Sequence, residues 1–213
     1  DLEQYLGQKV NWVTGITYDE VIRTKGGWLP NMLHRYCTTW LKLDPMFNWW
    51  RETINEPVEM RLGYRANEAS RANTMNGKLN KNGVLEYKTI IGKSKTGNKN
   101  KWGNVAWQVP NFPLIENGIF KQDIVKYWED KPVRFADYNN CVGCFHRSPL
   151  FLAKMFDTHP NKMEWFSNQE VGRNGKGTWR SDVQYASLKK WKSQKRLFFD
   201  DFGSCDTGYC EIN

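Results

Sequence analysis

Five cysteines occur along the chain as one single residue followed by two close pairs. Cys37 stands alone, Cys141 and Cys144 form a C-x-x-C motif, and Cys205 and Cys210 lie near the end of the sequence. A C-x-x-C turn brings two sulfurs within reach of one metal, and thiolates from distant segments can complete the site. The pattern therefore predicts a four-cysteine site, and four thiolates suit a zinc ion and a 4Fe-4S cluster equally. Disulfides and inert buried thiols are the alternatives.

His146 offers a second kind of donor beside the C-x-x-C motif, two residues after Cys144. Its imidazole would either replace a thiolate as a metal ligand or donate a hydrogen bond to a cluster sulfur. The second role is the stronger expectation, because Cys205 and Cys210 already supply surplus thiolates.

The composition predicts one ordinary domain with an insertion. Of 213 residues, 39% are hydrophobic and 15% aromatic, and the formal net charge is +8. This charge favours an anionic partner, such as a nucleotide, a nucleic acid or a sulfated metabolite. No apolar run reaches the roughly 20 residues that span a bilayer, and the segment after Asp1 does not resemble a signal peptide. We expect a cytoplasmic protein with no membrane partner.

Strands and helices alternate in the first half of the sequence. Strands are predicted at Lys9–Ile16 and Val58–Arg65 from their β-branched, alternating residues. Thr17–Lys25 predicts a helix that Thr17 and Glu20 cap. This alternation indicates an α/β architecture with a parallel sheet. The remaining predicted elements are helices near 31–53 (broken near Pro45), 66–75, 121–129, 149–156, 161–169 and 181–194, and one hairpin arm at 84–92.

Two regions are expected along the chain. Residues 1–135 would form the later part of a nucleotide-binding α/β domain, with a Lys/Asn-rich insertion near 76–104. Residues 136–213 would form a helical, cysteine-containing region. The insertion is most simply a solvated loop, and its lysines are also candidates for contact with phosphate or nucleic acid.

Two short motifs contain candidate anion-binding residues. Arg65, Glu68 and Arg71 follow the second predicted strand at its C-terminal end, where open α/β sheets bind ligands; the alternative is a surface ion-pair set. Gly172–Thr178 (GRNGKGT) fails the Walker spacing, because only two residues separate its first glycine from the Gly-Lys pair. Arg173 and Arg180 remain available there for an anion.

These segments together resemble the phosphoadenosine-phosphosulfate (PAPS) reductase family of the adenine-nucleotide alpha-hydrolase superfamily. The similarity is greatest to the short bacteriophage members and to the DNA phosphorothioation sulfurtransferase. The matching segments cover nearly the whole chain and occur in order: Leu29-Pro30, Arg35–Pro45 (RYCTTWLKLDP), Gly63–Glu68 (GYRANE) with Arg71, Pro113–Ile115, and Cys141–Arg147 (CVGCFHR).

The resemblance implies a Rossmann-like nucleotide-binding fold that takes ATP or a sulfonucleotide at the C-terminal ends of its strands. It makes Cys37, Cys141 and Cys144 ligands of a 4Fe-4S cluster. The fourth ligand would be Cys210, with Cys205 as the alternative. By the same resemblance, Lys42, Arg65 and Arg71 would contact phosphate or sulfate, and Glu68 would stabilise the two arginines.

Two departures from the family pattern shape the functional expectation. The S-G-G-x-D-S pyrophosphate loop is absent from the sequence and would precede Asp1, in a missing segment or on a separate chain. The family's E-C-G-L-H ending is replaced by Cys205–Glu211 (CDTGYCE). Sulfonucleotide reduction by a C-terminal cysteine nucleophile is therefore disfavoured relative to ATP-dependent sulfur transfer.

The sequence thus predicts a PAPS reductase-like protein that carries out ATP-dependent sulfur transfer or sulfonucleotide processing with an iron–sulfur cluster. A phage-encoded member would act in the host cytoplasm. The acceptor could be a nucleic acid. The alternative is a non-catalytic module, stabilised by zinc or a cluster, that binds nucleic acid or serves in phage assembly.

Overall fold

The computed structural model describes residues 1–94, 96–135, 141–170 and 177–191. The chain divides into two compact units. Unit 1 contains residues 1–13 and 46–134, and unit 2 contains residues 14–45 together with the described residues from 135 onward. Cys37 therefore belongs to the same unit as the C-x-x-C motif.

Unit 1 contains a three-stranded mixed sheet of β1 (Val58–Arg61), β2 (Leu85–Lys93) and β3 (Asn100–Asn111). The strand order is β1-β3-β2, with β1 parallel and β2 antiparallel to β3. The predicted hairpin arm is confirmed as β2. The wholly parallel sheet is wrong, because the 94–99 connection between β2 and β3 is far shorter than the dozen or so residues that a parallel crossover needs.

An aromatic cluster connects this sheet to the helical segment that precedes it. Phe47 and Trp50 of α4 (Asp44–Thr53) are buried with Trp107 of β3. The Phe47 ring stacks on Tyr87 with centroids 4.5 Å apart and meets Trp107 edge-on at 5.5 Å. These large rings supply much of the apolar burial that holds the small sheet. The other helices of unit 1 are α1 (Leu2–Leu6), a 3₁₀ turn (Ala66–Glu68), α5 (Ala69–Asn76), α6 (Pro113–Glu116) and α7 (Lys121–Trp128).

Unit 2 is helical in its described residues. Its core contains Leu152, Met155, Met163, Trp179 and Tyr185, all fully buried. The local sequence explains two of its helix starts. The Thr17–Glu20 capping box opens α2, as predicted, and the Ser148 hydroxyl caps α8 with Pro149 in the first turn. The helical segments are α2 (Tyr18–Thr24), α3 (Tyr36–Thr38), a π-helical segment (Thr39–Leu43), α8 (Pro149–Thr158), α9 (Pro160–Glu170) and α10 (Tyr185–Leu188).

Three local predictions are corrected. Residues 9–16 form no strand; the residues of this segment are exposed, and Trp12 is 85% exposed, so its alternating pattern has no apolar layer to cover. Pro45 does not end the helical run, because the π-helical segment Thr39–Leu43 continues directly into α4, of which Pro45 is the second residue. The hydrogen bonding changes to the π-helical pattern just before the proline instead. Within the described residues, the predicted 181–194 helix is limited to α10.

The protein is of the mixed α/β class, with a small sheet and several helices. No helix in the described part of the chain is long and apolar enough to cross a membrane.

Candidate functional site

Three cysteines from distant parts of the sequence interact within unit 2. Cys37 lies on α3, and Cys141 and Cys144 lie on the loop before α8. The Cys37 side chain packs against the unit 2 core, as does Val142 inside the C-x-x-C motif. Electrostatic interactions link Cys37 with Cys144, and Cys141 with both. None of the three forms a disulfide bond.

The C-x-x-C turn and the residues directly after it are fixed by hydrogen bonds to their backbone carbonyl groups. Within the turn, the Cys144 N–H donates to the Cys141 carbonyl at 3.1 Å. From outside it, the Tyr185 hydroxyl donates to the Gly143 carbonyl at 3.1 Å. Arg180 Nη1 donates to the carbonyls of Phe145 at 2.7 Å and Arg147 at 2.9 Å. The positions of the two cysteines are therefore set by side chains from the 180–185 segment.

Gly143 leaves no room for a side chain in this turn. A Cβ atom there would lie 2.4 Å from two carbons of the Phe166 ring. Phe166 is 6% exposed and belongs to the unit 2 core, so its ring has little space to move away. The turn accordingly packs directly on the core, with the ring beneath its central peptide.

Tyr18 lies near all three thiols. Burial of its hydroxyl raises the pKa of Tyr18, and all three cysteine thiols raise it further. A side-chain hydrogen bond joins Tyr18 to Cys37. The same environment raises the pKa of the Cys37 thiol, first through burial, while the Tyr18 hydrogen bond opposes the shift.

Cys141 is an exposed residue, but its sulfur is poorly solvated. The residue is exposed, yet the protein atoms around its thiol desolvate the thiolate and, together with the nearby Cys144, raise its pKa to about 12. The positive charge of Lys42 acts in the opposite direction. An open cleft of about 570 Å³ borders Cys141 and is lined also by Tyr18, Asn161, Lys162 and Trp165.

The three thiols do not form a single-ion site. Within the described ranges, no three His, Cys, Asp or Glu side chains are placed to hold one metal ion. Sulfurs bound to one zinc at about 2.3 Å lie within roughly 4 Å of each other. A cuboidal cluster has a separate iron for each cysteine, so its ligands lie farther apart. The predicted fourth ligand, Cys210 or Cys205, lies outside the described residues.

His146 is buried beside this site in a positively charged environment. It is 6% exposed, and its ring lies 4.7 Å from that of Phe145. Burial, together with the charges of Arg35 and Arg180, lowers the pKa of His146 to about 4. The imidazole is therefore neutral near pH 7 and can donate one hydrogen bond or accept one.

The second candidate site is an arginine pair in unit 1. The Glu68 carboxylate accepts hydrogen bonds from Arg65 Nε and from Arg71 Nη1, each at 2.9 Å. Glu68 is 5% exposed, and the arginine side chains are 15% and 20% exposed. Burial would raise the pKa of Glu68, but the hydrogen bonds from both arginines outweigh it and leave the pKa below its usual value. The carboxylate is thus ionised and holds two guanidinium groups in fixed positions.

Arg71 also contacts an aromatic ring. The Arg71 guanidinium lies 4.1 Å from the centroid of the Tyr64 ring, and Tyr64 in turn stacks on Phe112 at 5.5 Å. The arrangement is more rigid than a surface ion-pair set, and a fixed pair of arginines is typical of phosphate recognition.

The remaining predicted residues are placed as follows. Lys42 is exposed on the π-helical segment, near enough to Cys141 to influence its thiol. Arg180 is 17% exposed and pairs with Asp182 at 2.6 Å while holding the cysteine loop. Its nucleotide-binding role stays a prediction. Arg173 lies outside the described residues.

Sequence reasoning missed Tyr18 and the structural role of Tyr185. Neither carries a local motif: each is one of nine tyrosines, and only the fold brings them to the cysteines. The single usable signal for Gly143 is its position inside the C-x-x-C motif, where a side chain would crowd the turn.

Comparisons with protein-family models, with curated proteins and with solved structures find no match.

We predict that Gly143→Ala destabilises unit 2 by about 1–3 kcal/mol, the usual cost of forcing an extra methyl group into a packed core. Equilibrium unfolding in urea measures this. Gly92→Ala is the matched control, because nothing lies within 4 Å of its added Cβ; we expect a change within about 0.5 kcal/mol. Equal stabilities of the two variants would contradict the close packing of Gly143 on Phe166.

We predict that Glu68→Gln lowers the free energy of unfolding by about 2–4 kcal/mol, because it leaves two poorly solvated arginines without a counter-charge. Glu59→Gln removes an exposed pair with Arg61 at the same 2.9 Å distance and should cost less than about 1 kcal/mol. The depressed pKa of Glu68 adds a pH signature: the wild type loses this stabilisation as pH falls through the folded-state pKa, and the variant has none to lose. Urea unfolding of each variant at neutral and acidic pH measures both effects.

Proposed function

We propose that this chain is a PAPS reductase-like protein that takes part in ATP-dependent sulfur transfer or sulfonucleotide processing, with a cysteine-ligated 4Fe-4S cluster. The observation that carries the proposal is the meeting of Cys37 with Cys141 and Cys144 in unit 2. These are the cysteines that the family resemblance makes ligands, and they come from segments far apart in the sequence.

The protein's own residues would hold the cluster in a preorganised setting. Cys37, Cys141 and Cys144 supply three thiolates, and Cys210 (or Cys205) supplies the fourth. The carbonyl hydrogen bonds from Arg180 and Tyr185 keep the C-x-x-C turn in place, and neutral His146 is suited to donating a hydrogen bond to a sulfur. When bound, the cluster supplies a redox-active iron–sulfur centre that helps to deliver or activate sulfur.

Nucleotide recognition would fall to the arginine pair of unit 1. Arg65 and Arg71 bring two positive charges to one ionised carboxylate, so the group keeps net positive charge for a phosphate or sulfate. Apart from this pair, Lys42, Arg173 and Arg180 keep the anion-binding role that the sequence predicts for them. The Rossmann-like nucleotide-binding fold belongs to this proposal, since the three-stranded mixed sheet establishes only the α/β class.

Cleavage of ATP needs a pyrophosphate loop of the S-G-G-x-D-S type, which the sequence lacks. We assign this loop to another segment or a separate chain. With it, ATP would transfer AMP to an oxygen of the acceptor and release pyrophosphate. A sulfide-level donor would then displace AMP, which carries that oxygen away. A nucleic-acid acceptor is consistent with the net charge of +8.

The alternative is a non-catalytic, metal-stabilised module that binds nucleic acid or serves in phage assembly. Its cofactor would be a zinc ion or a cluster held by the same cysteines, since four thiolates suit both.

We predict that anaerobically purified or reconstituted protein is brown and contains about four irons and four sulfides per chain. Cys37→Ser, Cys141→Ser and Cys144→Ser should each lose most of the iron, since a three-thiolate cluster is poorly held. Metal and sulfide analysis with a visible spectrum measures this.

Cys205 and Cys210 serve as controls for each other in this experiment. Cys210→Ser should lose the cluster and Cys205→Ser should keep it. A colourless protein with one zinc would move the conclusion to the metal-stabilised module, and a protein with neither metal would overturn the cysteine site.

We predict that Arg65→Gln combined with Arg71→Gln weakens binding of ATP or adenosine phosphosulfate at least tenfold, because both anchors for the phosphate or sulfate oxygens are removed. Isothermal titration calorimetry measures the dissociation constants. The matched control is Arg61→Gln with Arg134→Gln, two exposed arginines of unit 1 in surface ion pairs. Equal affinity of the two double variants would remove the arginine pair from the proposal.

A further inference from the structure

Strands β2 and β3 continue past the three-stranded sheet as a two-stranded ribbon. β1 pairs only with residues Gln108 to Asn111 of β3. The rest of β3, from Asn100 to Ala106, is paired with β2 alone. This stretch of 86–106, which we call the ribbon, has no third strand beside it among the described residues.

The ribbon carries an unbalanced positive charge. No Asp or Glu occurs between Glu86 and Glu116, whereas lysines stand at 88, 93, 95, 99 and 101. Lys88, Lys93, Lys99 and Lys101 are exposed. The one partner seen for them is neutral: Lys93 Nζ donates to Asn100 Oδ1 at 2.7 Å, which leaves the full charge in place. Glu86 at the base is held by the amides of Asn80 and Asn104.

The two faces of the ribbon differ. On one face, Tyr87 and Val105 pack against the aromatic cluster of unit 1. On the other, the cross-strand pairs are Lys88 with Asn104 and Ile90 with Trp102. Lys88 and Lys93 share this face with Trp102, whereas Lys101 lies on the opposite face because successive residues of a strand alternate. Trp102 is 58% exposed and Ile90 38%, so a large flat ring stands in solvent beside two of the lysines.

Protection of a sheet edge explains only part of this pattern. Lysines on an edge strand such as β2 discourage pairing with other chains. That reason also covers Lys101, because the 100–106 part of β3 has β2 on one side only and is an edge as well. It does not account for an exposed tryptophan, which itself invites association. An exposed aromatic ring with cations on its own face and further cations at the end of the hairpin is instead the arrangement that binds single-stranded nucleic acid, with phosphates at the lysines and a base on the ring.

We propose that the ribbon is a binding surface for single-stranded nucleic acid, with Trp102 as the stacking platform for a base and Lys88, Lys93, Lys99 and Lys101 as phosphate contacts. An unstacked base is required because the ring projects from the ribbon face, and bases inside a duplex present only their edges. The surface belongs entirely to unit 1 and does not depend on the cysteine site.

The test is fluorescence anisotropy with labelled oligothymidylate and oligouridylate of about 15 nucleotides, titrated at several salt concentrations. For four lysine contacts, the plot of log K against log salt should have a slope near −3, at about −0.7 per phosphate. Replacing all four lysines by glutamine should weaken binding more than tenfold and flatten the slope. Trp102→Ala should weaken binding about fivefold or more and leave the slope nearly unchanged.

A charge-matched control separates the ribbon from the net charge of the protein. Lys9, Lys81, Lys126 and Lys190 are exposed lysines outside the ribbon, and their joint replacement by glutamine removes the same charge. This control should bind within about threefold of the wild type, and far-ultraviolet circular dichroism checks that all variants are folded.

Three results would overturn the proposal. The first is equal weakening in the ribbon and control variants. The second is duplex binding as tight as single-strand binding, with no effect of Trp102→Ala. The third is binding to phosphatidylserine vesicles without binding to either oligonucleotide.

Discussion

The arrangement of the cysteine site depends on the hydrogen bonding of its loop carbonyls. A turn that packs on the core must give its carbonyl groups partners. Here the partners are the Arg180 guanidinium and the Tyr185 hydroxyl. Both are held in turn: Arg180 pairs with Asp182, and the Glu170 carboxylate accepts the backbone N–H groups of Trp179 and Tyr185. The short 177–188 segment therefore fixes Cys141 and Cys144 through the backbone rather than through their own side chains.

Two of the three thiols lie where a negative charge is unfavourable. Burial and mutual repulsion both raise the pKa of Cys37 and Cys141, so near neutral pH these two thiols are protonated. Metal binding requires thiolates and releases these protons. The nearby positive charges, Arg35 for Cys37 and Lys42 for Cys141, act in the opposite direction but do not outweigh burial. In the proposed function, the irons of a bound cluster would compensate the thiolate charges.

Features set by neighbouring residues were predictable from the sequence, and features set by distant contacts were not. The capping box of α2, the start of α8 at Pro149 and the arm at β2 follow from local residues and appear where expected. The 9–16 strand was wrong because an alternating pattern forms a strand only where a sheet and an apolar layer are present. The sequence could identify Cys37 and the C-x-x-C motif as candidate ligands from their residue type and spacing. It gave no sign that Tyr18 lies near them, because only distant contacts bring it there.

The hydrogen bonding of Glu68 limits what the arginine pair can do. One of its oxygens accepts from the Arg65 backbone N–H and Nε, and the other accepts from Arg71. With both oxygens engaged and its pKa depressed, the carboxylate is a poor base near pH 7, since protonating it would break these bonds. Glu68 is therefore a positioning residue that orients two cations, and the pair can bind a phosphate or sulfate but cannot activate water. Any chemistry on a bound nucleotide must use groups other than this carboxylate.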